Sequence, residues 1–154
     1  VLAAIDIFTL LLLAGVFVIV GGITEAGVIE RIGALVVQAG QGNVFLVYTL
    51  LVWLSVLISG FVDNIPYVAA MLPVAQAAST ALQADPNLFY FGLLIGATLG
   101  GNLTPIGASA NITALGLLRR EGVEVGAGEF MRLSVPFTLA GVFTGYFLIW
   151  LLWG

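Results

Sequence analysis

Five long runs without a charged residue dominate the sequence. They cover residues 7–24, 32–62, 64–84, 86–118 and 133–154. Four of the runs exceed the roughly 18–20 residues that an α-helix needs to cross a bilayer, and the first just reaches that length. Hydrophobic residues make up 61% of the chain and charged residues 8%, which is far from the balance of a soluble domain. The sequence therefore predicts an all-α integral membrane protein surrounded by lipid.

The side-chain inventory excludes most enzyme chemistry. The chain has no His and no Cys, and its four basic residues are all Arg. The usual zinc sites, thiol nucleophiles, Ser-His-Asp triads and phosphate-binding loops are therefore excluded, and neither an enzyme nor a cofactor is expected. An intramembrane aspartyl protease would need a second membrane-embedded Asp beside Asp63. The net charge of -4 argues against nucleic acid as a partner.

Polar and helix-breaking residues divide residues 1–154 into five predicted parts. These are a transmembrane helix over 5–24, a surface amphipathic helix over 25–41, a re-entrant hairpin over 43–84 with its tip near 63–66, a transmembrane helix over 88–120 broken at 100–107, and a transmembrane helix over 130–154. The hairpin is favoured because almost no hydrophilic loop separates its two arms, although two full crossings stay open. A short crossing stays open for the amphipathic segment.

The arginines predict the orientation of this multi-pass protein. Arg119, Arg120 and Arg132 share one loop, which the positive-inside rule places in the cytoplasm. The hairpin would then open towards the outside.

Asp63 is the first candidate functional residue. It lies between two uncharged runs, and no arginine is close to it in the sequence. A carboxylate at membrane depth is costly, so Asp63 is expected to bind a proton, a metal cation or a charged partner, together with the adjacent Asn64. The alternative is an ordinary exposed loop between two crossings.

The second break combines helix-breaking residues with oxygen-bearing side chains. The residues expected to form the loops are Pro66, Gly100, Gly101, Pro105 and Gly107. Asn102, Thr104, Ser109 and Asn111 could replace water around an ion, with Na⁺ expected at Asn102 and Thr104. The alternative is a hinge that binds nothing. Before the break, the strip of Gly92, Gly96 and Gly100 predicts close helix packing.

Both breaks resemble motifs of the ion transporter superfamily. Residues 59–73, Ser-Gly-Phe-Val-Asp-Asn-Ile-Pro-Tyr-Val-Ala-Ala-Met-Leu-Pro, resemble its re-entrant hairpin, and residues 100–111 resemble its Gly-Gly-Asn-x-Thr broken helix. The superfamily contains arsenite permeases, citrate transporters, the P protein, sodium/proton antiporters and divalent anion–sodium symporters. Asp-Asn-Ile-Pro stands where the symporter branch has its Ser-Asn-Thr triplet. This difference makes a dicarboxylate substrate less plausible, and it makes proton coupling through Asp63 more plausible than in that branch.

The resemblance implies one inverted-repeat half of a secondary transporter. An N-terminal half would then be supplied in cis or in trans, and a homodimer is one option because dimers are common among members. The expected function is alternating-access transport of a small inorganic or organic anion, coupled to Na⁺ or H⁺, in a bacterial or archaeal inner membrane. Two alternatives stay open: a Na⁺/H⁺ antiporter that uses Asp63, and a non-transporting membrane subunit or truncated paralogue.

Overall fold

The computed structural model describes residues 14–15, 18–19, 21–22 and 25–154. The predicted first helix over 5–24 therefore lies mostly outside the described residues. Every regular element within 25–154 is an α-helix, as the sequence predicts. The helices are α1 Val28–Ala39, α2 Val44–Ser59, α3 Asn64–Leu82, α4 Pro86–Gly100, α5 Ser109–Arg120 and α6 Ala127–Trp153.

Helix α4 is the centre of the packing, because it contacts α2, α3 and α6. Its glycine strip faces α2. A Cβ built on Gly96 would lie 2.5 Å from the Val52 carbonyl oxygen, and one built on Gly100 would lie 2.6 Å from the Val56 Cα. The two backbones are in direct contact there, which only glycine allows. The predicted packing role of the strip is confirmed.

Aromatic rings join α2 to α6 on the other side of the core. Tyr48 stacks on Tyr146 with ring centroids 5.0 Å apart, and its hydroxyl donates to the Tyr146 carbonyl oxygen at 2.8 Å. Trp150 packs at 5.7 Å from Tyr48 and edge-on to Phe45 at 4.8 Å. These contacts hold α6 beside α2 and α4.

Helix α1 turns sharply away from α2, with 113° between residues 31–39 and Val44–Ser59. It packs on α3, where a Cβ built on Gly33 would lie 2.8 Å from the Ala77 Cβ. The close approach at Gly33 decides which side of α1 faces inwards. Of the apolar residues along one side of α1, Val36 packs against the core, whereas Val28, Ile32, Leu35 and Ala39 are exposed. Placement of α1 on the membrane surface stays a prediction.

Two of the described helices, α3 with 19 residues and α6 with 27, have the length and composition of a membrane span. Helices α2 and α3 contact α4 more extensively than they contact each other. The arms of the predicted hairpin are therefore held together largely through α4. Whether the arms re-enter on one side or cross fully stays a prediction.

Substituting Gly96 tests the contact between α2 and α4. We expect Gly96→Ala to lower the free energy of unfolding by about 1–3 kcal/mol, because the added methyl overlaps the Val52 carbonyl oxygen. Gly116→Ala in α5 is the control, since a Cβ there has nothing within 4 Å. It should be neutral or stabilising by up to about 1 kcal/mol. Thermal unfolding of the detergent-solubilised full-length protein measures both, and equal effects would contradict the predicted contact.

Candidate functional site

Two irregular segments meet at the candidate site. We call residues 60–63, between α2 and α3, the hairpin turn, and residues 101–108, between α4 and α5, the break. The Thr104 hydroxyl donates to the Gly60 carbonyl oxygen. A Cβ built on Gly107 would lie 2.7 Å from that oxygen and 2.5 Å from the Gly101 carbonyl oxygen. The two segments are thus in backbone contact, and Gly107 is required for it.

The Asp63 carboxylate accepts hydrogen bonds from the first turns of two helices. Its Oδ1 accepts from the Ile65 N–H at 3.3 Å, which caps α3. Its Oδ2 accepts from the N–H and the hydroxyl of Ser109 at 3.2 and 2.9 Å, although the two residues are 46 positions apart. Ala108, at the cap position of α5, has no capping side chain, so Asp63 performs that role from the hairpin turn.

The electrostatics of this arrangement explain how Asp63 is held without an arginine beside it in the sequence. A helix N-terminus carries about half a positive charge, and the carboxylate contacts two of them. Charge-assisted hydrogen bonds from backbone N–H groups are among the stronger ones in proteins. Asp63 is half-buried, and its position at membrane depth stays a prediction.

Asn64 ties the start of α3 to the end of α4. Its Oδ1 lies 2.6 Å from the Ser59 hydroxyl, and its Nδ2 donates to the Thr98 carbonyl oxygen at 3.5 Å. The same Ser59 hydroxyl lies 2.6 Å from the Ala97 carbonyl oxygen. Because a hydroxyl has one proton, Ser59 donates to only one of these oxygens at a time. The Asn64 amide lies directly over Gly101, where a side chain would overlap it.

Asn111 closes the break from the side of α5. Its Nδ2 donates to the carbonyl oxygens of Gly101 and Thr104, each at 3.0 Å. The Thr104 hydroxyl also accepts from the Ile106 N–H at 3.3 Å. Asn102 takes part through its backbone, whose N–H donates to the Leu99 carbonyl oxygen at 3.0 Å. Amide and hydroxyl groups therefore satisfy much of the polar backbone that the break exposes.

The structure brings most of the predicted site residues into one place. Asp63, Asn64, Thr104, Ser109 and Asn111 share one region of the hairpin turn and the break. Their roles as ion or substrate ligands stay predictions, as does Na⁺ at Asn102 and Thr104. Sequence reasoning missed Ser59, whose only signal was a hydroxyl inside an apolar run five residues before Asn64.

The available ligands are neutral oxygens around one carboxylate. Within the described part of the chain, no group of three or more His, Cys, Asp or Glu side chains could hold a metal ion. Carbonyl, amide and hydroxyl oxygens at a helix break are the donor set by which transporters hold Na⁺. The identity of an ion at this site, Na⁺ or H⁺, stays a prediction.

Helix α5 is attached to the rest of the described chain chiefly by its first turn. Within the described part of the chain, none of the residues of α5 is buried. A groove of about 340 Å³ runs from Pro105 and Ile106 to Arg119, and another of about 550 Å³ separates α5 from α6.

The whole chain, residues 1–154, matches the family model for citrate transporters. The chain belongs to the citrate transporter family. It is 35% identical over 152 residues to an uncharacterized transporter of Mycobacterium tuberculosis, which covers 97% of this chain and 36% of that protein. It is also 33% identical over 145 residues to a 46 kDa membrane protein of Mycobacterium leprae, and 35% identical over 146 residues to the P protein of Homo sapiens.

These matches confirm the resemblance to the ion transporter superfamily. The M. leprae match covers 93% of this chain and 34% of the relative, and the human match covers 89% and 17%. This member of the citrate transporter family thus spans about one third of the length of the mycobacterial relatives. No solved structure matches the chain.

Substituting Asp63 tests the contact between the hairpin turn and α5. Asp63→Asn places an amide N–H₂ or a neutral oxygen opposite the two Ser109 donors, so the contact should weaken. We expect amide hydrogens in the first turn of α5 to exchange about tenfold faster or more, as loss of a charged hydrogen bond worth about 1.5–3 kcal/mol predicts.

Asp85→Asn is the matched control. Asp85 caps α4 through the Asn87 N–H at 2.8 Å and lies in the connector after α3. Its substitution should affect exchange only at the start of α4. Hydrogen exchange of the detergent-solubilised full-length protein, read by mass spectrometry, reports both segments. Unchanged exchange in α5 of the Asp63 variant would contradict the capping role.

Proposed function

We propose that this chain is the C-terminal part of an ion-coupled secondary transporter, in which Asp63 is the coupling-ion group. The transporter moves a small inorganic or organic anion by alternating access. The observation that carries the proposal is the Asp63 carboxylate at the N-termini of both α3 and α5. Membership of the citrate transporter family supports transport itself.

The position of Asp63 suggests how a coupling ion and an anion depend on each other. A helix N-terminus binds anions, and at α5 that place is taken by the Asp63 carboxylate. A proton or Na⁺ on Asp63 neutralises it and weakens its hold on the Ser109 N–H and hydroxyl. These donors then become available to an anionic oxygen of the substrate. Anion binding and ion binding are thereby favoured together, which is the requirement for symport.

The same contact suggests how the site opens. In the present arrangement Asp63 and Ser109 join the hairpin turn to α5, which has few other contacts. Loss of the contact frees the first turn of α5 while α4 stays packed against α2. Movement at the break would then expose the site to the opposite side of the membrane.

Citrate is the first substrate to test, because the family model carries that description. Inorganic anions, including arsenite-type and phosphate-type oxyanions, are the second class. A dicarboxylate is a weaker candidate than either, because the Asp-Asn-Ile-Pro sequence at 63–66 differs from the Ser-Asn-Thr triplet of the dicarboxylate symporters.

A Na⁺/H⁺ antiporter is the second candidate. The observation that favours it is again Asp63, a carboxylate that could exchange one cation for the other without an anion. The two functions differ in one measurable property, because the antiporter moves Na⁺ in response to a pH gradient when no transportable anion is present.

Transport in proteoliposomes containing the full-length protein tests the proposal. We expect Asp63→Asn to reduce gradient-driven anion accumulation at least about tenfold, because the neutral side chain can no longer respond to the coupling ion. Exchange of anion across the membrane should persist, since the substituted side chain resembles the neutralised carboxylate. Asp85→Asn, which removes a carboxylate from a helix cap without touching the break, should transport like the wild type.

Three results would contradict this proposal. Accumulation by the Asp63 variant at the wild-type rate would exclude Asp63 as the coupling-ion group. Na⁺ flux driven by pH without anion would favour the antiporter. Absence of flux of any tested anion or of Na⁺ in the wild-type protein would favour a non-transporting membrane subunit.

A further inference from the structure

Thr138 in α6 has a fully buried side chain whose hydroxyl has no hydrogen-bond partner among the described residues. The other threonines in the described helices behave differently, because each donates to the carbonyl oxygen four residues before it. They are Thr49, Thr80, Thr98, Thr113 and Thr144. A buried hydroxyl without a partner is costly, and valine would fill the same volume. The exception at Thr138 therefore calls for a ligand.

The register between α6 and α4 locates this hydroxyl. A Cβ built on Gly145 would contact the Ile95 side chain, and one built on Gly141 would lie 3.3 Å from the Leu99 side chain. Further towards the start of α6, the Ser134 hydroxyl lies 3.4 Å from the Leu103 carbonyl oxygen. Thr138 lies one turn from Ser134 and one turn from Gly141 or Val142. It is therefore opposite the end of α4 and the first residues of the break.

The surroundings of Thr138 favour a cation over an anion. The C-terminal end of a helix carries a partial negative charge, and α4 ends at Gly100. Among the described residues, the Leu103 carbonyl oxygen has only a long contact with the Ser134 hydroxyl, at 3.4 Å. Two hydroxyls and a carbonyl oxygen at the end of a broken helix are oxygen ligands for a hard monovalent cation.

A route for a cation leads to this position from the loop between α5 and α6. The groove of about 550 Å³ between these helices is lined by Glu129 near one end of α6 and by Asn111 and Ser134 beside the break. A carboxylate at the entrance raises the local concentration of cations. Ser134 thus lines the groove and contacts the Leu103 carbonyl oxygen, one helical turn from Thr138.

We propose that Thr138 is a ligand of a Na⁺ ion bound between α6 and the break, together with the Ser134 hydroxyl and the Leu103 carbonyl oxygen. This adds ligands from α6 to the residues expected from the sequence. The inference rests on the proposed function only in taking this Na⁺ to be coupled to transport, as a second ion beside the proton or Na⁺ on Asp63. Binding itself is tested without transport.

Thermal unfolding of the purified full-length protein in NaCl or choline chloride tests this site, because an ion that binds the folded state raises its stability with concentration. Na⁺ should raise the unfolding temperature of the wild type in a saturable way. Thr138→Val should raise the half-saturating Na⁺ concentration at least about tenfold, or about 1.4 kcal/mol. Thr138→Ser keeps the hydroxyl and should stay close to the wild type.

Thr144→Val is the control on the same helix, since the Thr144 hydroxyl donates to the Ala140 carbonyl oxygen at 2.8 Å and the side chain is exposed. It should leave the Na⁺ dependence unchanged. Ser134→Ala should shift the dependence in the same direction as Thr138→Val, and it serves as the test if the valine variant does not fold. A simple packing role for Thr138 would alter the unfolding temperature equally in both salts.

Two results would overturn the inference: a wild type that Na⁺ stabilises no more than choline does, and a Thr138→Val variant with the wild-type Na⁺ dependence. These outcomes are separate from those of the transport assay. Anion accumulation that needs Asp63 but shows no Na⁺ binding at Thr138 would leave the proposed function intact. Na⁺ binding that needs Thr138, in a protein that transports no anion, would support the Na⁺ site and contradict the proposed function.

Discussion

The Asp63 carboxylate accepts hydrogen bonds from the first turns of α3 and α5, and the relative position of the hairpin turn and the break depends on it. Two helix N-termini meet at this point, and an anion between them stabilises their partial positive charges. A single carboxylate therefore satisfies two helix ends that would otherwise lie unpaired beside each other.

Close packing of α4 on α2 allows the N-termini of α3 and α5 to lie beside each other. The glycines of α4 bring its backbone against Val52 and Val56, and the end of α4 then lies beside the hairpin turn. Thr104 and Asn64 complete the connection through carbonyl oxygens of the neighbouring segment. One side of the site is consequently rigid. Among the described residues, the other side, α5, is attached mainly by its first turn.

Much of the candidate site follows from local sequence because helix-breaking residues and isolated polar residues are conspicuous in an apolar chain. Asp63, Ser109 and Asn111 stand out for this reason, and the structure brings them together where the hairpin turn meets the break. Ser59 and Thr138 do not stand out, since a hydroxyl within an apolar helix normally bonds to its own backbone. The role of Ser59 depends on its partners in α3 and α4, and that of Thr138 on the lack of a partner among the described residues.

The sequence by itself determined the helical class, the membrane environment and the approximate positions of both breaks, because these depend on hydrophobicity, charge and backbone restrictions along the chain. The first break lies at 60–63, before the expected tip near 63–66, because Asp63 caps α3 and Pro66 is tolerated in the first turn of that helix. The tertiary structure decided which helix end receives the Asp63 carboxylate, which side of α1 faces the core, and which α6 hydroxyl lies against the break. Those outcomes depend on contacts between residues far apart in the sequence. Local sequence preferences do not determine these contacts, because the contacts form only when α4 packs against its neighbouring helices.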